Sequence, residues 1–145
     1  MNITEIRIKL VRDPRDKLRG FASITIDGGL VVRDIKIIEG GKGLFVAMPS
    51  RKLHDRCPQC ACKNPLRARH CNDCGRRLRD QRGAADDRGR VRLYADIAHP
   101  IHQDGRDQLQ RLIVEAYEAE LVASQREGYV AARFDDLDYH EFDAP

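Results

Sequence analysis

The chain has 145 residues, of which 41% are hydrophobic and 34% charged, and its formal net charge is +3. This length accommodates one ordinary core with a small insertion but not two full domains. The hydrophobic fraction favours a soluble folded protein over a disordered chain. No apolar run approaches the roughly 20 residues that cross a bilayer, and the N-terminus lacks the apolar segment of a secretory signal. The sequence therefore predicts a cytoplasmic protein without a membrane partner.

Four segments before residue 50 have the pattern of β-strands. Apolar residues alternate with polar or charged ones in the first two, as expected for half-buried strands. Asp27-Gly28-Gly29 is typical of a hairpin turn, and the glycine-rich GGKG separates the last two segments. Short connections of this kind predict an antiparallel meander. The four segments are TEIRIKLV, FASITI, LVVRDIKII and LFVAM.

The last third of the chain contains an amphipathic helix. The preceding segment RVRLYADIAHPI is predicted to be extended, because Pro100 disfavours a helix just before it. Asp104 is predicted to cap the helix, and the exposed face carries mostly glutamate. The fold class is therefore α+β, an antiparallel sheet with a C-terminal amphipathic helix packed on it. The apolar face consists of Leu109, Leu112, Ile113, Ala116, Tyr117 and Leu121.

All five cysteines lie between residues 57 and 74. Cys57 and Cys60 form one CxxC pair and Cys71 and Cys74 another, which is the spacing of a closed four-thiolate zinc site. Gly75 suits a knuckle that requires positive φ. Leu66 and Leu78 are the only large aliphatic residues between positions 54 and 90, so a structural Zn²⁺ would replace a hydrophobic core there.

Three alternatives to a four-thiolate zinc site remain open. A single CxxC pair could act in redox chemistry, and the same four thiolates could hold an iron–sulfur cluster. Cys62 and His70 lie beside the knuckles and could replace one of the ligands. The symmetric pairs favour Cys57, Cys60, Cys71 and Cys74 as ligands, with Cys62 a spare thiol.

The run FASITIDGGLVVRDIKIIEGGKGLFVAMPSRK, followed by DIAHPI and an amphipathic helix, resembles the SpoVG family of bacterial regulators. The resemblance covers about residues 1–52 and 94–122. It implies a small homodimer with an antiparallel sheet and a C-terminal helix. Proteins of this family bind DNA and RNA and regulate gene expression, sporulation or septation.

The chain departs from the family between PSR and DIAHPI, where about forty residues replace the usual short turn. This stretch is similar to zinc ribbons, and a ribbon inserted at a loop is the simplest interpretation. The predicted organisation is a discontinuous core, residues 1–52 and 91–145, with an acidic tail from about residue 134. The inserted module spans residues 53–90 and includes two predicted flexible linkers, LHDR and DQRGAADDRGR.

The basic residues are concentrated in the inserted region. Residues 51–93 hold 13 basic and 5 acidic residues, whereas the remainder holds 13 and 18. Such a cluster predicts a surface that binds the phosphates of DNA or RNA, although a merely solvated basic face is the alternative. The glutamate-rich helix would repel phosphate. The predicted binding residues are Arg51, Lys52, Lys63, Arg67, Arg69, Arg76, Arg77 and Arg79.

Two other functions fit the sequence less well. The ribbon could instead serve protein interaction or oligomerisation, with the acidic tail binding a neighbouring copy in a larger assembly. His99 with Asp96 could suggest acid–base catalysis, and His102 is close by. No nucleophile, phosphate loop or open metal site accompanies them, so these histidines are predicted to shape the turn before the helix, and the protein is predicted not to be an enzyme.

Overall fold

Four antiparallel strands form the main sheet in a computed structural model that describes residues 1–13 and 15–131. The strand order follows the chain, so the predicted meander is confirmed. The predicted acidic tail lies outside the described residues. The four strands are β1 (Ile3–Leu10), β2 (Leu18–Ile26), β3 (Leu30–Gly40) and β4 (Gly43–Ala47).

The turn between β2 and β3 has the predicted hairpin geometry. Asp27 and Gly28 both adopt positive φ, 50° and 64°, and the N–H of Gly29 donates to the carbonyl oxygen of Ile26 at 3.0 Å. Two consecutive residues with positive φ match the right-handed twist of paired strands. The Asp-Gly-Gly sequence therefore determines where β2 reverses into β3.

Helix α1 spans Gln103–Ser124, and its N-cap is His102. The N–H of Gly105 donates to Nδ1 of His102 at 2.9 Å. The prediction that Asp104 caps the helix is wrong, since Asp104 already lies in the first turn. A negative charge there still interacts favourably with the helix dipole. His102 has the extended backbone of a cap and presents an acceptor nitrogen at the right distance, as capping requires.

The core lies between the sheet and one face of α1. Leu109, Ile113 and Tyr117 recur every four residues and are buried, as their spacing predicts. Leu121, on the same predicted face, is exposed because it lies one turn beyond the last buried residue. The sheet contributes Ile8, Ala22, Ile24, Ile35 and Ile37 to this core.

Residues Ser50–Ile97 form a second compact unit, distinct from Met1–Pro49 and the chain from Ala98. Four short strands build this unit in two antiparallel pairs, β5 with β8 and β6 with β7. The unit is wider than the predicted insertion of residues 53–90, because β5 and β8 pair with each other and belong to it. The strands are β5 (Ser50–Lys52), β6 (His54–Arg56), β7 (Lys63–Pro65) and β8 (Tyr94–Asp96).

Arg82 ties together the two segments that the sequence predicts as linkers. Its Nε lies 2.6 Å from Oδ2 of Asp55, and its side chain is only 10% exposed. The two terminal nitrogens donate to backbone carbonyls of Pro65, Ala68 and Arg79 at 2.8–3.0 Å. A guanidinium with its donors satisfied in this way crosslinks the unit at several points.

Over the part of the chain that is described, no helix is both long and apolar enough to cross a membrane.

Candidate metal centre and basic surface

The two CxxC pairs form knuckles with the same hydrogen-bond pattern. In the first, the N–H of Cys57 donates to Cys62 O, and the N–H of Ala61 donates to Cys57 O, at 2.8 and 2.9 Å. In the second, Cys71 donates to Arg76 O and Gly75 to Cys71 O, at 2.8 and 3.1 Å. Each pair of bonds closes a tight turn that directs two sulfurs to the same side.

Both knuckles contain a residue with positive φ at the same place. Gly75 has φ of 77°, as the sequence predicts, and Ala61 occupies the matching position at 63°. Alanine is uncommon in this region, because its Cβ crowds the backbone there. The first knuckle therefore has no glycine to indicate its positive-φ position in the sequence. The hydrogen bonds of Cys57 and Ala61 hold this turn.

The four cysteine sulfurs lie within 4.8 Å of one another. Sγ of Cys57 is 3.7 Å from that of Cys74, and Sγ of Cys60 is 3.5 Å from that of Cys71. A disulfide requires about 2.05 Å. Four thiolates bound to zinc at about 2.3 Å in a tetrahedron have sulfurs about 3.8 Å apart. These separations therefore fit one shared metal ion much better than disulfides.

Each knuckle also directs backbone N–H groups at sulfur. The N–H of Gln59 lies 3.4 Å from Cys57 Sγ, and the N–H of Asp73 lies 3.4 Å from Cys71 Sγ. Such donors stabilise a thiolate, which is the form that binds metal. The arrangement can therefore hold a cation with closed thiolate coordination, and the identity of the metal stays a prediction.

Asn64 is a completely buried polar residue that sequence reasoning missed. Its Nδ2 donates to Cys71 Sγ at 3.4 Å and to Cys62 O at 3.2 Å, while its Oδ1 accepts from the N–H of Asn72 at 2.8 Å. The bond from Asn64 is the leading cause that lowers the pKa of Cys71 to about 5. Asn64 therefore connects the two knuckles and favours the thiolate of Cys71.

Asn64→Asp should lower the affinity for metal about 10- to 100-fold, the usual cost of losing a hydrogen bond that orients a ligand. Aspartate can still accept from Asn72, but it cannot donate to Cys71 and adds negative charge beside the thiolates. Competition with a chromophoric chelator measures the change. The exposed Asn72→Asp is the matched control and should stay within a few-fold of the parent. Equal affinities of the parent protein and Asn64→Asp would contradict the assigned role.

The two other candidate ligands lie outside the sulfur cluster. Sγ of Cys62 donates to the carbonyl oxygen of Lys63 at 3.5 Å, and burial is the leading cause that raises the pKa of this thiol. His70 pairs through its backbone with Arg77. Among the described residues, the group that could hold a metal consists of the four predicted cysteines.

The structure distributes the predicted basic residues over more than one surface, and all eight are exposed. Arg76, Arg77 and Arg79 line one groove together with Arg56 and Arg82. Lys52 and Arg67 line a separate pocket beside Tyr94. Arg51, Lys63 and Arg69 line neither. We call the first surface the arginine groove, which also includes Asp55, Pro58 and Leu78.

Two arginines of this groove were not predicted, and both help to build it. Nη1 of Arg56 donates to Ala61 O at 3.1 Å, which braces the first knuckle. Arg82 crosslinks the unit as described above. The predicted Arg77 lies 3.8 Å from Asp80, in an exposed ion pair that contributes little to stability. Sequence spacing did not reveal these roles, because the bond from Arg56 to Ala61 depends on the local turn and Arg82 contacts a residue 27 positions away.

The histidines considered for catalysis bond within the turn before α1. Nδ1 of His99 lies 3.0 Å from the carbonyl oxygen of Pro100, and His102 caps the helix. These contacts give both side chains a structural role in that turn.

An antiparallel four-stranded sheet covered by one helix, with two cysteine knuckles between β4 and α1 in the chain, defines the class as an α+β protein with an inserted four-cysteine cluster that could hold a metal ion. Comparison of the sequence with family models matches SpoVG over residues 1–119. The chain belongs to the SpoVG family. The resemblance seen in FASITI through DIAHPI is thereby confirmed.

Individual relatives agree with this assignment. The chain is 40% identical to "Putative septation protein SpoVG" of Lachnospira eligens over 118 residues, which cover 81% of this chain and 92% of the relative. The protein of the same name in Agathobacter rectalis is 38% identical over 83% of this chain and 97% of its own. That of Myxococcus xanthus is 33% identical over 93% and 98%.

Proposed function

We propose that this protein is a nucleic-acid-binding regulator of the SpoVG type, which acts in gene expression, sporulation or septation and catalyses no reaction. Its relatives are named septation proteins, and these names support a role in septation. The names do not mention nucleic acid, so the proposed ligand rests on the residues of this chain. The homodimer implied by the family and the cytoplasmic location stay predictions. The ligand proposed is DNA or RNA, bound through its phosphates.

The observation that carries the proposal is the arginine groove. Arg76, Arg77 and Arg79 follow the second knuckle directly and are exposed along one concave surface. Each guanidinium can donate two parallel hydrogen bonds to a phosphate. Several such groups on one small unit give an affinity that falls as salt rises, because bound phosphate releases counterions.

We further propose that Cys57, Cys60, Cys71 and Cys74 hold a structural Zn²⁺. Thiolate donors and sulfur separations close to a tetrahedral edge support this metal. When bound, zinc would supply folding energy and no open coordination position for a substrate. Four thiolates with one Zn²⁺ carry a charge of about −2, which reduces but does not cancel the positive charge of the unit.

The zinc-loaded protein should bind labelled oligonucleotides in a fluorescence anisotropy titration, with an affinity that falls log-linearly with salt. Arg76→Glu combined with Arg77→Glu should weaken binding at least about 10-fold and flatten the salt slope by about two. The reason is that two phosphate contacts become two repulsions.

The matched control reverses two exposed charges on α1, with Arg106→Glu and Arg111→Glu. Because Arg111 pairs with Glu115 and Arg106 is adjacent to Asp107 in the sequence, this control should change the affinity less than about threefold. Unchanged binding of the groove variant, or a larger loss in the helix variant, would place the contact elsewhere and refute the role of the groove.

A further inference from the structure

We infer that a pocket in the Ser50–Ile97 unit receives an unpaired base of single-stranded nucleic acid, with the ring of Tyr94 as its stacking surface. The inference rests on the proposed function and specifies its ligand. We call this site the tyrosine pocket. Its apolar part includes Leu53, Pro65, Leu66 and Leu93, and Lys52, Arg67 and Tyr94 also line it.

Backbone pairing builds the pocket from parts of the unit that are distant in sequence. Lys52 and Tyr94 are direct partners in the β5–β8 ladder, so their side chains lie on the same face. The N–H of Leu53 donates to Leu93 O at 2.9 Å, and the N–H of Leu66 donates to Leu53 O at 3.0 Å. The backbone segments around Leu53, Leu66 and Leu93 are thus held side by side by hydrogen bonds. The pocket is therefore formed before any nucleic acid binds.

Tyr94 is available for stacking. The residue is 43% exposed, so part of its surface is open to solvent. The guanidinium carbon of Arg67 lies 5.9 Å from the centre of the ring, near the outer limit of about 6 Å for a cation–π contact. The ring is therefore not tightly covered and can accept a second flat group.

The charges at the pocket select the occupant. A nucleotide combines a flat base, which stacks on an aromatic ring, with a phosphate, which a cation attracts. Lys52 and Arg67 provide two cations that can attract the phosphate, and they lie beside the ring of Tyr94 and the leucines, which can contact the base. Bases in a duplex are already paired and stacked, so the pocket favours single strands, whereas the arginine groove contacts only phosphates and accepts either form.

Tyr94→Ala tests the inference in the zinc-loaded full chain. We expect it to weaken binding of a single-stranded thymidine oligomer about 10-fold, within the range observed when one stacking aromatic is removed. Tyr94→Phe keeps the ring and should bind like the parent. The matched control is Phe45→Ala, since Phe45 is similarly exposed, at 42%, but lies on β4 outside this unit. Zinc content checks the fold of the Ser50–Ile97 unit in the Tyr94 variants, and circular dichroism checks the fold of the sheet and helix in Phe45→Ala.

Two further ligands separate base stacking from phosphate contact. An oligomer of equal length with abasic sites and a duplex should each lose less than about twofold with Tyr94→Ala. An equal loss on all three ligands, or no loss on the thymidine oligomer, would overturn the inference while leaving the proposed function intact. No salt-dependent binding of any ligand by the parent protein would overturn both.

Discussion

We expect Cys71→Ser to abolish metal binding and to unfold the Ser50–Ile97 unit. Cys71 is 4% exposed, its sulfur lies 3.5 Å from that of Cys60, and it receives the hydrogen bond from Asn64. Serine offers a poor ligand for a thiolate-preferring ion. Without metal, the small cluster of Cys57, Cys71 and Leu78 provides too little apolar burial to offset a backbone entropy cost of about 1–2 kcal/mol per residue.

Metal analysis and hydrogen exchange measure this result. We expect about one ion per parent chain and close to none in the Cys71→Ser variant. Amides of Cys71 and Leu78, which donate to Arg76 and Arg69, should lose their protection from exchange. Amides of β2 and β3 should keep it, since those strands belong to the other unit.

Cys62→Ser is the matched control, because Cys62 carries the same thiol in the same unit but lies outside the sulfur cluster. It should retain both metal and protection. A Cys71→Ser protein with full metal content would contradict the four-thiolate site, and one with no metal but unchanged protection would contradict the folding role of the metal.

Ile113→Ala is expected to destabilise the main sheet and helix by about 2–5 kcal/mol, the range for truncating a large aliphatic residue in a core. Ile113 is completely buried, at 0% exposure, among the apolar residues of β1, β2 and β3. The loss combines burial of fewer methyl groups with a cavity that the surrounding strands fill only partly. Small domains have a total stability of about 5–15 kcal/mol, so this is a large fraction.

Urea unfolding followed by circular dichroism at 222 nm measures the change, since α1 is the only helix in the described residues. Val122→Ala is the matched control on the same helix, where Val122 is 61% exposed. It should stay within about 0.5 kcal/mol of the parent. A loss below about 1 kcal/mol for Ile113→Ala would show that the α1 face is not the core that its burial indicates.

Features built from neighbouring residues could be predicted from the sequence. Alternation in TEIRIKLV and FASITI indicated strands, since side chains on a strand point to alternate faces, and the spacing of Leu109, Ile113 and Tyr117 indicated the buried face of α1. The two CxxC pairs also indicated the four cysteines whose sulfurs lie together, because each pair sits within one tight turn. Each of these signals lies within one turn, strand or helix.

The tertiary structure decided the features that join residues far apart in the chain. Asn64 reaches Cys71 and Asn72 only because β7 lies beside the second knuckle, and Arg82 reaches Asp55 across 27 positions. The tyrosine pocket likewise depends on the pairing of Lys52 with Tyr94. Single polar or aromatic residues carry no periodic signal. The contacts of Asn64, Arg82 and Tyr94 depend on how distant segments of the backbone pack together. The pattern of residues within one segment does not determine that packing.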